Sequence, residues 1–169
     1  PLWGYENEAD PDVMAKKISA AAEYGIDNFI FDWYWYEDGP YLQRCLEEGF
    51  LKAPNCDKLH FALMWANHDW VDIHPAQRSS GKHETVLASG KVSAEAFDRA
   101  VDYIISHYFR HPSYFRLDGG LYFSIYMMAG FVSGFGTVAA AREALLRFRR
   151  KVRDAGLGEL HLNAVVWGQ

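Results

Sequence analysis

Cysteine is scarce: Cys45 and Cys56 are the only two among 169 residues. That is too few for a disulfide framework, and they lack the spacing of a zinc site. No run approaches the roughly 18 consecutive apolar residues of a bilayer-spanning helix, so no membrane partner is expected. Basic charge is not in excess either. Seventeen Lys+Arg stand against 22 Asp+Glu, a formal net charge of −5, which argues against nucleic acid as the main partner. No Gly-rich phosphate loop follows any apolar run, and this counts against a nucleotide-binding open sheet. His68, Asp69, Asp72 and His74 cluster without a zinc pattern, so neither a metal nor a cofactor is assigned. The chain opens on Pro1, with no initiator Met and no leader pattern.

What is present fits a folded domain, with 50% hydrophobic and 23% charged residues. The outlier is the aromatic load of 6 Trp, 10 Tyr and 11 Phe. Asp10-Pro11 starts a helix with Met14, Ile18, Ala21 and Ala22 on one face, and Gly25 ends it. Residues 26–32 read as a buried strand, 37–40 as a turn and about 41–48 as a short helix. Residues 59–64 are the second strand. From 71 to 92 no periodicity survives, which predicts a long functional loop. Ser93 and Thr137 each cap an amphipathic helix, around a third strand at 121–125, and residues 160–166 form the last. The basic face of the final helix, with Arg142, Arg149, Arg150 and Arg153, reads as a solvated surface.

Helices and apolar strands therefore alternate, which predicts an α/β fold with a parallel sheet. In such folds function gathers at the carboxyl ends of the strands. Here those ends carry Asp32-Trp33-Tyr34-Trp35-Tyr36, then Trp65-Ala66-Asn67-His68-Asp69-Trp70, then Tyr126, then Trp167. A pyranose stacks its C–H face on a ring and gives its hydroxyls to carboxylates and amides. Asp32, Trp33, Tyr34, Trp35, Trp65, Asn67, His68, Asp69, Trp70, Tyr126 and Trp167 are accordingly the expected sugar-binding set. The alternative is that these rings fill the strand–helix layer. Asp32 is expected to be partly buried, either as a ligand or as an anchor for the next loop. Asp32, Asp69 and His68 are candidate catalytic groups, since glycoside hydrolysis uses two carboxylates about 5–9.5 Å apart. His60, His107, His111 and His161 read as ordinary packing or surface residues.

The run from Pro1-Leu2-Trp3-Gly4-Tyr5 through Gly25-Ile26-Asp27 and Phe29-Ile30-Phe31-Asp32-Trp33-Tyr34-Trp35-Tyr36 to Phe61-Ala62-Leu63-Met64-Trp65-Ala66-Asn67 resembles the family 99-like glycoside hydrolases and WbsX-like proteins. The segment from Tyr114-Phe115-Arg116 to Ser124-Ile125-Tyr126 resembles the next strand of that family. The resemblance implies a (β/α)8 TIM-type barrel acting on an oligosaccharide or polysaccharide, as an endo-mannosidase or a related hydrolase. It implies that residues 1–169 are one partial barrel domain holding the second to fifth strands. The catalytic Glu pair of the family, in an Asn-Glu-Trp-type strand end, has no counterpart here, so no catalytic residue is carried over. His68-Asp69 stand where many WbsX-like members have Glu, which points to another glycan. A polysaccharide-locus glycosyltransferase and a non-catalytic glycan-binding barrel are the rival readings. Four strands would leave two open sheet edges, so self-association of a half barrel is expected.

Overall fold

The computed structural model describes residues 2–72 and 85–166. Helix α1 (Pro11–Glu23) starts where the Asp10 side chain accepts from the Asp12 amide, with Pro11 in the first turn. It buries Met14 and Ile18, and Gly25 follows at φ 79°, a conformation that glycine adopts without strain. Strand β1 then runs from Asn28 to Tyr36. The expected strand stopped at residue 32. It continues for four more residues because Trp33 to Tyr36 are aromatic and well suited to a pleated surface.

The expected helix over 41–48 is replaced by two other elements. Strand β2 (Gly39–Tyr41) folds back antiparallel on β1, pairing Tyr34 with Tyr41 and Tyr36 with Gly39. A π-helical turn, Cys45–Phe50, follows and buries Leu46, Gly49 and Phe50. Gly49 is required there, because a Cβ would lie 2.1 Å from the Glu8 carbonyl oxygen. Strand β3 (His60–Trp65) is parallel to β1. The stretch read as an unpatterned loop holds a short antiparallel pair, β4 (Trp70–Asp72) and β5 (Thr85–Ala88). Their pairing partners are each other, a non-local match that no hydrophobic periodicity announces.

Helix α2 (Ala94–His107) is capped by Ser93, as expected. Strand β6 (Arg116–Leu117) turns into β7 (Gly120–Ile125). The turn residues Asp118 and Gly119 both have positive φ, at 51° and 79°, the geometry of a two-residue hairpin turn. A short helix α3 (Met128–Phe135), unforeseen in the sequence, precedes α4 (Val138–Asp154), which Thr137 caps. Strand β8 (Leu160–Ala164) completes the set and pairs parallel with β7.

The parallel strands lie side by side as β1, β3, β7 and β8. Helices cover one face. On that side Phe61, Leu63 and Trp65 of β3 and Leu121, Phe123 and Ile125 of β7 are all at most 1% exposed. Phe97 of α2 stacks on Trp65 at 5.7 Å, and Phe148 of α4 meets Phe123 at 5.4 Å. This is the mixed α/β fold that the alternation predicted, but among the described residues the sheet does not close into a barrel. No helix among them is long and apolar enough to cross a membrane.

One polar network ties this layer together. The Trp33 indole N–H donates to the Tyr108 hydroxyl at 3.3 Å, and Tyr108 donates to Glu47 Oε1 at 2.6 Å. Tyr103 donates to the same oxygen at 2.5 Å. Burial first, and then the Glu47 carboxylate, push the Tyr103 phenol up to about 12 and Tyr108 higher still. Tyr114, fully enclosed, is raised by burial as well. A raised phenol pKa means that folding favours the neutral form. This contribution is intact below the ordinary tyrosine value near 10 and is lost as pH climbs from there through the folded values. Circular dichroism followed upward from neutral pH, alongside tyrosinate absorbance, should place the alkaline unfolding above about pH 10. A folded core that persists after all tyrosines have ionised would contradict this.

Candidate functional site at the carboxyl ends of the strands

Successive residues of a strand point to opposite faces. Because β1 stays regular to Tyr36, Phe29, Phe31, Trp33 and Trp35 point into the helix layer. Ile30, Asp32 and Tyr34 point to the other, uncovered face. Trp33, Trp35 and Trp65 are 2%, 5% and 1% exposed. Their indole N–H groups are all used inside the chain: Trp33 on Tyr108, Trp35 on the Ala96 carbonyl at 3.0 Å, and Trp65 on the Trp35 carbonyl at 3.3 Å. These three tryptophans, expected to stack on sugar, are core residues beneath α2. The pleat is the reason, since a strand end carries rings to both faces and only one face is open.

Asn67 is likewise corrected. It is 2% exposed, its amide N–H donates to the Met127 carbonyl at 2.9 Å, and its oxygen accepts from the Met127 N–H at 2.8 Å. This two-way bond fastens the exit of β3 to the exit of β7. Asp69 is exposed, and its Oδ1 accepts from the Gly90 N–H at 2.8 Å and from Ser89 Oγ at 3.4 Å. It closes the base of the β4–β5 pair. Gly90 is needed at that junction, because a Cβ there would lie 2.4 Å from the His68 carbonyl carbon. The anchoring role that the sequence offered for Asp32 belongs to Asp69. Asp32 itself is exposed rather than partly buried.

The residues that do gather on the open side are Asp32, Tyr34, His68, Trp70 and Tyr126, with Tyr41 added by β2. Tyr34, Tyr41 and Trp70 are mutually near-perpendicular. Their centroids lie 6.4 Å (Tyr34–Tyr41), 5.5 Å (Tyr34–Trp70) and 5.3 Å (Tyr41–Trp70) apart, at 76°, 89° and 77°. His68 bridges this corner to Tyr126, lying 5.8 Å from each of the Tyr34 and Tyr126 rings. Burial raises the Tyr34 phenol pKa, and Asp32 and Tyr126 raise it further, which places all three groups in one electrostatic neighbourhood. Tyr36, pushed up to about 12 by burial and then by Tyr34 and Tyr41, backs the cluster. Tyr41 and Tyr36 were not in the sequence-derived set, and the Glu37-Asp38-Gly39 turn was the signal that could have brought Tyr41 back against β1.

A cleft of about 440 Å³ opens beside Asp32 along the outer edge of β1, lined also by Ile30, Tyr41, Gln43 and Lys17. Among the described residues, no three His, Cys, Asp or Glu side chains are placed to hold a metal ion. His74 and Trp167 lie outside the described residues.

A family model described as "Glycosyltransferase WbsX" matches residues 3–167. The chain belongs to the WbsX family. Two curated relatives, each named "Uncharacterized protein WxcX" and from two strains of Xanthomonas campestris pv. campestris, are 30% identical over 159 residues. The match takes in 94% of this chain and 21% of each relative, so this WbsX-family chain spans about a fifth of their length. Among solved structures, the GH99 endo-alpha-mannosidase from Bacteroides thetaiotaomicron is similar at a TM-score of 0.55 and 15% identity. That alignment covers 98% of this chain and 40% of the other. At such identity the likeness shows the fold, and it agrees with the family 99-like and WbsX-like resemblance read from the residues.

Asn67→Ala should destabilise the chain without touching the open aromatic corner. It removes the hydrogen-bond partner of both the Met127 N–H and its carbonyl, which predicts a loss of about 1–3 kcal/mol in urea unfolding. An unchanged midpoint would show that the Asn67–Met127 pair is not what joins the two strand exits.

Proposed function

We propose that this chain supplies part of the substrate-binding end of a glycan-active enzyme, with the open corner of Tyr34, Tyr41 and Trp70 as its sugar-stacking surface. One observation carries the reading. Three partly exposed rings at mutual right angles stand beside the exposed Asp32 carboxylate at the carboxyl end of a parallel sheet. The rings offer faces to C–H groups and the carboxylate accepts from hydroxyls. His68 and Tyr126 extend the polar rim. The family description and the mannosidase likeness both lie in glycan chemistry, which supports an oligosaccharide or polysaccharide as substrate.

Glycoside hydrolysis by the longer protein is the reaction this reading favours, through carboxylates that residues 1–169 do not supply as a recognisable pair. Asp32 and Asp69 lie on neighbouring strand exits, but Asp69 is engaged with Gly90. Transfer from a sugar nucleotide is the second reading, and the family description favours it. The two are separated by incubating the full-length protein with bacterial polysaccharides and with sugar nucleotides, followed by mass analysis of products. Shortened glycans without a nucleotide donor support hydrolysis, and nucleotide-dependent extension supports transfer.

Trp70→Ala should weaken binding of a cognate polysaccharide fragment by about 1 kcal/mol, roughly fivefold, in calorimetric titration. Trp65→Phe, beneath α2, should leave affinity where it is. Equal losses for both would remove the open corner from the site.

A further inference from the structure

Two of the three rings of the aromatic corner stand on short elements. Tyr34 belongs to the long strand β1, whereas Tyr41 ends the three-residue β2 and Trp70 begins the three-residue β4. Strand β2 is poorly equipped to hold Tyr41 by itself. Its two-residue loop, Glu37-Asp38, joins the paired residues Tyr36 and Gly39, and neither loop residue has a positive φ. The loop is therefore not one of the primed turns that match the twist of paired strands. Just past Tyr41, Leu42 has φ 56°, which is uncommon for a side chain of its size.

What holds this hairpin lies outside it. Glu37 Oε2 accepts from the Ser93 N–H at 2.8 Å, and Oε1 accepts from the Ser93 hydroxyl at 2.6 Å. The same hydroxyl oxygen accepts from the Ala96 N–H at 3.1 Å, so one side chain caps α2 and binds the hairpin. Arg99 of α2 donates to the Glu37 carbonyl at 2.6 Å. The Ser93 bonds, and then Arg99, hold the Glu37 carboxyl below its ordinary value. The stretch that carries Ser93 also serves Trp70, because Asp69 accepts from the Gly90 N–H at 2.8 Å. Between these two grips Val92 is buried in the core. Residues 90–93 are thus a strap pinned to the core, with Asp69 bringing Trp70 to one end and Glu37 bringing Tyr41 to the other.

We infer that Glu37 is a positioning residue for the aromatic corner: clamped by Ser93 and Arg99, it sets the Tyr41 ring against Trp70 before any ligand arrives. The two rings lie 5.3 Å apart at 77°, and Glu37 reaches them only through the backbone of the hairpin and the strap. Rings held in place in the free protein leave less ordering to be done on binding. That consequence rests on the sugar reading of the corner, whereas the clamp itself does not.

The test uses full-length protein labelled with fluorotryptophan. The Trp70 fluorine resonance is assigned by its loss in Trp70→Phe and read with no glycan present. Tyr41→Leu fixes where that resonance goes when the neighbouring ring is absent, and Glu37→Ala should move it at least halfway there. Asn55→Ala cuts the bonds from Asn55 to Ala15 and Ser19 before the amino end of β3, and it should leave the resonance at the wild-type position. An unmoved resonance in Glu37→Ala, or an equal move in Asn55→Ala, would overturn the clamp. Should Glu37→Ala not fold, Arg99→Met releases the Glu37 carbonyl alone, and the same move or its absence decides. Titration with a cognate polysaccharide fragment then separates the clamp from the sugar reading. Glu37→Ala should bind about threefold more weakly, the cost of ordering one loosened side chain. If the resonance moves and both Glu37→Ala and Trp70→Ala bind like the wild type, the sugar reading fails and the clamp stands. If the resonance moves and only Trp70→Ala loses binding, Glu37 sets the ring without serving the ligand and the inference fails. If Trp70→Ala loses binding and the resonance stays in Glu37→Ala, the clamp is wrong and the sugar reading stands.

Discussion

The pleat of β1 is the constraint on which the rest of this structure depends. Nine residues, from Asn28 to Tyr36, keep one alternation, and that alternation divides a run of aromatic side chains between two environments. Trp33 and Trp35 go under α2, where burying such large rings is the main stabilising term. Asp32 and Tyr34 go to the uncovered face. A bulge or a break after Asp32 would exchange these roles and place the indoles in the open.

The buried half has its own polar logic. Glu47 lies at the junction of the π-helical turn, α2 and β1, and its Oε1 receives both Tyr103 and Tyr108. Through Tyr108 it reaches Trp33, so a carboxylate outside the sheet fixes the orientation of an indole inside it. Asn67 does similar work at the carboxyl end of the sheet, tying the exit of β3 to that of β7, while Asp69 ties the start of β4 to Gly90. Polar residues that look functional beside a strand end are here divided between holding the exits in place and facing outward.

Much of the architecture was legible in residue order. Pro11, Ser93 and Thr137 announced three helix starts because capping is a local interaction between neighbours in the chain. The apolar runs around Leu63, Phe123 and Leu162 announced strands. The carboxyl-end location of the open aromatic corner followed from the α/β alternation alone, and Tyr34, His68, Trp70, Tyr126 and Asp32 were all named. Less legible was β2, since Gly39-Pro40-Tyr41 matches a strand only when β1 is there to receive it. The β4–β5 pair and α3 were equally silent, being short elements stabilised by contacts far away in the chain.

Composition and periodicity determined that this is an alternating α/β chain with an aromatic and acidic cluster at one end of its sheet, because those features depend on neighbours within a few residues. Tertiary structure alone decided which rings are core and which face outward. It also decided that Asn67 and Asp69 hold strands together. These assignments depend on register between strands and on which face the helices cover, and both are set by groups that meet only once the chain has folded.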